Sequence, residues 1–196
     1  MTIEDDAFVR LFQERAGLSP VDGWAGRDTI AMLDKLAPPK AVATDGMPDD
    51  YWPMLAMIES GNRPYVQAQS SSASGLYQFI KSTWEGEGGK WGPTLRPAFG
   101  GLRPSEAEQL VRAKSFTAKN AAYLRARGVA INKAALYAAH FLGPVTAAAI
   151  LAAPLTARAD ALAGTAATKA NPSILQGKTV GDFVDWLERK TGDRAK

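Results

Sequence analysis

Cysteine is absent from this 196-residue chain, and histidine occurs once, as His140. Without thiols there is no disulfide framework, no thiolate zinc site and no cysteine nucleophile. One histidine excludes a zinc site built from two or three imidazoles, so neither a metal nor a cofactor is expected. Charge is also modest: 22% of residues are charged, too few for a disordered tail, whereas 46% are hydrophobic, enough for a buried core. Chemistry in this chain rests on carboxylates, hydroxyls, amides and the backbone.

A secretion signal is not expected either. The opening MTIEDDAFVRLFQ places acid where such a signal needs positive charge, and it has no sustained apolar run. Residues 134–157 carry no charge and are long enough to span a bilayer. They are mostly alanine, hold His140, and are cut by Gly143-Pro144 and Pro154, so a buried helical hairpin is expected and no integral membrane segment. The net charge of +3 is unevenly spread: residues 1–50 carry 5 basic and 10 acidic side chains, residues 51–196 carry 18 and 10. A basic larger part points to a polyanionic target such as nucleic acid, an anionic membrane or an anionic wall. The basic residues are scattered and form no recognition motif, so nucleic acid is not the expected partner.

The pattern along the chain is mainly α. Phe8, Leu11 and Phe12 recur at helical spacing, and a second helix carries Ile30, Leu33 and Leu36 before Pro38-Pro39 stops it. Residues 1–37 are thus predicted to form a small helical module, 38–48 a linker and 49–196 the main domain. In the main domain, Asp49 or Asp50 is expected to cap a helix running to Glu59-Ser60. Residues 61–75 are expected as a loop or a small β-ribbon, 76–84 as a helix or short strand, and the glycine-rich 86–93 as flexible. Ser105 with Glu108 predicts a capping box opening a long helix to Arg127-Gly128. Asn132 is expected to cap the next helix, helices are expected at about 144–153 and 156–163, and Thr179 or Gly181 opens the last.

The segment 59–84 carries the chemistry. Glu59 falls at the C-terminal end of an apolar helix, where the helix dipole and apolar neighbours disfavour negative charge, as a general acid requires. Gly75, Tyr77 and Gln78 follow: a glycine permitting close backbone approach, with an aromatic ring and an amide beside it, suits a sugar-binding groove. From spacing alone, Glu59 reads more readily as a solvated helix-end residue and Gln78 as a surface amide, since lone carboxylates are common.

Glu59-Ser60, then Ser72-Ala73-Ser74-Gly75-Leu76-Tyr77-Gln78-Phe79-Ile80, then Ser82-Thr83-Trp84 resemble the signature of the soluble lytic transglycosylase family, within the lysozyme-like superfamily. Residues 138–144 (AAHFLGP) resemble its third block, with His140 where the family has tyrosine and Phe141 where it has asparagine. The tail ANPSILQGKTVGDFVDWL resembles the end of phage-type members. Val21-Asp22-Gly23 through Thr29, with residues 8–13, resembles the first half of a peptidoglycan-binding module.

The resemblance implies a lysozyme-like helical domain that cleaves the β-1,4 bond between N-acetylmuramic acid and N-acetylglucosamine, giving a 1,6-anhydro product. It implies Glu59 as the catalytic group and Ser60, Ser74, Tyr77 and Gln78 as substrate contacts, with Tyr137 or His140 taking the family tyrosine's place beside the acid. A hydrolytic muramidase is the alternative; it would need a second carboxylate, for which Glu85 and Glu87 are the nearby candidates, both expected to be solvated. An inactive wall-binding or virion structural protein is a further alternative. The expected partner is bacterial peptidoglycan and the expected state a monomer. Such a protein, an endolysin or virion-associated lysin, is made in the host cytoplasm and reaches the wall through a holin or with the virion.

Overall fold

Apolar residues three and four apart wind most of this sequence into helices. A computed structural model describes residues 5–36 and 46–196. The chain falls into two compact units, Met1–Ala41 and Val42–Lys196. Their boundary lies within the expected linker at 38–48, most of which is outside the described residues. The fold is mainly α.

The first unit contains α1 (Asp5–Arg15) and α2 (Arg27–Leu36). Its centre is polar. Gln13, 2% exposed, donates from Nε2 to Asp22 Oδ1, the Trp24 carbonyl and Thr29 Oγ1, and accepts at Oε1 from the Asp22 and Gly23 amides. The hydrogen bond from Gln13, and after it that from the Trp24 amide, holds the Asp22 carboxyl below its ordinary value. One amide side chain thus supplies partners for a turn too short to make its own. Phe8, Trp24 and Leu36 are left exposed.

The second unit opens with α3 (Tyr51–Ser60), ended by Gly61 in the left-handed conformation. Asp50 occupies the cap position but makes no capping bond; its carboxylate instead accepts from Lys133 Nζ at 2.9 Å. No strand forms among the described residues. Where a ribbon was the expectation, Ser74 makes isolated antiparallel bridges to both Gln67 and Phe79. Residues 76–80 are likewise neither helix nor strand: a turn with Gln78 at φ 47° precedes the short α4 (Lys81–Gly86). Within the glycine-rich stretch after it, Gly89 is fitted tightly against the core. A Cβ on Gly89 would lie 2.2 Å from Trp84 Nε1, and that indole N–H donates to the Lys90 carbonyl.

The long α5 (Glu106–Arg125) begins at Ser105, whose hydroxyl accepts from the Glu108 amide. The Glu108 side chain pairs with Arg112, one turn on, rather than returning to the cap. Arg112 also donates to the Glu87 carbonyl and lies over the Trp84 ring, tying α5 to the end of α4. The charge-free run becomes α6 (Lys133–Leu142) and α7 (Pro144–Ala152), divided at Gly143. Among the described residues no helix is long and apolar enough to cross a membrane. Then come α8 (Ala159–Ala170), kinked at Gly164 and longer than expected, α9 (Pro172–Leu175) and α10 (Val180–Thr191). Thr179 and Asp182 form a complete capping box at the start of α10. Trp84, Phe99, Leu55 and Phe183 are fully buried in the core of this unit.

Candidate active site

Glu59 occupies the last turn of α3 and is half-buried. The helix end beneath it is secured twice. Ser60 Oγ donates to the Ala56 carbonyl at 2.9 Å and accepts from the Arg63 amide at 3.2 Å, while Arg63 Nε donates to the Ser60 carbonyl at 2.8 Å. Sequence reasoning passed over Arg63; a cation at a helix C-terminus suits the dipole there.

Helix α6 brings two residues to Glu59. Asn132 caps it through Oδ1, accepting from the Ala135 amide, and so fixes the rotation of the turns that follow. Burial, then the Glu59 charge and then hydrogen bonding to that carboxylate push the buried Tyr137 phenol well above its ordinary value. His140, one turn on, is held below its ordinary value of 6.5, chiefly by burial; the Glu59 charge and a bond to the Tyr77 backbone act in the opposite direction. Its ring lies edge-on to Phe79 and Phe116 and stacks on Tyr137, with centroids 6.0, 6.0 and 6.5 Å away. The Glu59 charge therefore acts on both Tyr137 and His140.

Tyr51 was not foreseen. It lies eight residues before Glu59, two helical turns away on nearly the same stripe of α3. Its buried phenol is raised by burial first, then by Glu59 and Tyr137, and its hydroxyl has no hydrogen-bond partner among the described residues. The i, i+4, i+8 spacing of Tyr51, Leu55 and Glu59 was the available signal.

The other expected contacts are built into the loop. Ser74 is fully buried; its hydroxyl donates to the Ser72 carbonyl and accepts from the Phe99 amide. Gln78 donates from Nε2 to the Gly75 carbonyl at 2.9 Å and the Val66 carbonyl at 3.3 Å, leaving its side-chain oxygen. Tyr77 is 4% exposed, its phenol pushed up to about 12 by burial and by Glu106. Behind the loop stands Gln109, 1% exposed, which accepts from the Leu76 amide and donates to the Pro64 and Pro104 carbonyls. Gly75 does permit close approach, but to this core: a Cβ there would lie 2.3 Å from Gln109 Oε1 and 2.4 Å from Phe99 Cζ.

The two acidic residues after Trp84 differ. Glu85 is exposed and 3.9 Å from Lys81. Glu87 is not solvated: its side chain is 7% exposed, and both oxygens accept from Lys119 Nζ, at 2.9 and 2.8 Å.

Because His140 is the chain's one histidine, its titration is readable alone. The unfolded imidazole takes up a proton more readily than the folded one, so its contribution is complete above about pH 6.5 and is lost as pH falls below that value. The single imidazole C2 proton signal should titrate below 6.5, and His140→Gln should lessen the fall of melting temperature on acidification. A signal titrating at or above 6.5 would contradict the burial argument.

No protein-family model matches this chain, and no curated protein does. The residues around Glu59 therefore carry the functional argument.

Proposed function

We propose that this protein is a peptidoglycan lytic transglycosylase, cleaving between N-acetylmuramic acid and N-acetylglucosamine. The observation that carries the reading is the cluster at the end of α3, where the Glu59 charge acts on Tyr51, Tyr137 and His140 together. A neutral His140 places a dipole, not a cation, beside the acid. Glu59 gives its proton to the leaving oxygen as the glycosidic bond breaks, and the bonding electrons stay on that oxygen. The muramyl 6-hydroxyl then attacks the oxocarbenium-like carbon and yields its proton to Glu59, closing the 1,6-anhydro ring. Tyr77 and Gln78 hold the sugar and its acetamido group. Ser60 and Ser74 keep the walls in place from behind.

This route needs no second carboxylate. Glu87 is engaged by Lys119, and Glu85 stands exposed beside Lys81, which favours transglycosylation over hydrolysis. The first unit, with its ordered 22–29 turn and exposed Phe8 and Trp24, is the wall-binding part of an endolysin or virion-associated lysin acting as a monomer. Mass spectrometry of fragments released from purified peptidoglycan tests the activity. Muropeptides lighter by one water than their hydrated counterparts are the expected result. Reducing-end muramic acid would mean a hydrolase, and no fragments an inactive protein.

A further inference from the structure

Helix α3 carries a buried hydroxyl that the proposed chemistry leaves unused. Tyr51 is 0% exposed, and its phenolic oxygen is buried with no hydrogen-bond partner among the described residues. The ring stands edge-on to Trp52, with centroids 5.8 Å apart. Phenylalanine would fill the same space without leaving a polar group unmet, so the oxygen needs a reason. Its surroundings supply one. Tyr51 lies on the stripe of α3 that ends at Glu59, with the fully buried Leu55 between them. From α6, Tyr137 and His140 join the same cluster, their rings stacked with centroids 6.5 Å apart. The Tyr51 hydroxyl feels both the Glu59 charge and Tyr137.

In the reaction proposed above Glu59 changes charge twice. It is an acid at the start, a carboxylate once the glycosidic oxygen has its proton, and an acid again when the 6-hydroxyl has yielded its own. The carboxylate of the middle state is half-buried and has a neutral imidazole beside it, so bulk water solvates it incompletely. A fixed donor next to it favours that state over the protonated one, and only such a difference speeds the chemical step. Burial holds the Tyr51 phenol well above its ordinary range, so it remains a donor and never becomes a base.

We propose that Tyr51 is a positioning residue for this reaction, its O–H donating through one bridging water to the Glu59 carboxylate and binding most strongly while Glu59 is charged. The Tyr51 proton stays on its own oxygen throughout; only hydrogen bonds form and break there. The kinetic part of this inference rests on Glu59 being the acid, whereas the coupling between the two side chains does not.

The test is a double-mutant cycle on the full-length protein, combining Tyr51→Phe, which removes one oxygen and keeps the ring, with Glu59→Gln. At pH 7, Tyr51→Phe alone should lower the melting temperature by about 3–10 °C, the loss of a hydrogen bond to a charged group in a chain of this size. In the Glu59→Gln background the fall should be about half as large, because a neutral amide is the weaker acceptor. A hydroxyl with no partner predicts the opposite, Tyr51→Phe neutral or stabilising in both backgrounds, and that result would overturn the proposal. So would a fall of equal size in both, which would tie the oxygen to some other part of the core. With solubilised peptidoglycan, Tyr51→Phe should reduce kcat about tenfold or more and leave KM unchanged, since the buried hydroxyl touches no substrate. A raised KM at unchanged kcat would make Tyr51 a structural residue only. Coupling in the cycle without glycan cleavage by the wild type would remove the transglycosylase reading and leave the Tyr51–Glu59 interaction standing. Cleavage without coupling would do the reverse.

Discussion

Replacing Glu59 with glutamine is expected to lower fragment release by about 10²–10⁴-fold, the range for losing a general acid–base. The substitution preserves size and shape. Its amide is nearly isosteric with the carboxylate, so the aromatic surround of Tyr137 and His140 should hold its arrangement. What is lost is the transferable proton and the base that follows it. Melting temperature and wall binding should stay near wild type, which separates a chemical loss from a structural one. Retained activity would mean that another group supplies the proton, and Glu59 would then be an ordinary helix-end residue.

Gly75→Ala should act through the fold instead, with a loss of about 2–5 kcal/mol. Two costs combine: a side chain at φ 79°, roughly 1–2 kcal/mol, and overpacking, typically 1–3 kcal/mol. The added methyl would sit 2.3 Å from Gln109 Oε1 and 2.4 Å from Phe99 Cζ. Gln109 is poorly placed to yield, because it also holds the Leu76 amide and the Pro64 and Pro104 carbonyls. For a unit of this size the melting temperature should drop by roughly 5–15 °C. A change within the usual ±0.5 kcal/mol of a surface substitution would show that the turn relaxes freely.

Local signals in the sequence are legible. Asn132 and Thr179 cap their helices as their positions foretold, since a cap reaches only two or three residues along the chain. Gly143-Pro144 broke the apolar run into two helices for the same reason. Signals that depend on distant partners were not legible. Asp50 fails to cap α3 because Lys133, 83 residues away, takes its carboxylate. The glycines at 86–93 suggested freedom, yet Gly89 is required by the Trp84 ring pressed against it.

The candidate site divides in the same way. Glu59 was found from its place at a helix end and from resemblance. Tyr137 and His140 are alternatives by sequence, and in the fold the Glu59 charge acts on both. Ser60 and Ser74 look identical in sequence to hydroxyls that touch a ligand. Only their internal partners reveal that they brace the loop. Gln109 gave no sign at all, since a glutamine within a helix is ordinary until three separated stretches of backbone converge on it.

The amide at the centre of the first unit has a genetic consequence. Glutamine and glutamate codons differ by one base, and the exchange replaces the Gln13 nitrogen with oxygen. That would withdraw the donor shared by Asp22, Trp24 and Thr29 and set a second carboxylate against Asp22, whose charged form Gln13 now stabilises. A substitution that looks mild in an alignment is thus among the least tolerable in α1. Lineages carrying this module should keep glutamine at position 13 while the exposed residues around it drift.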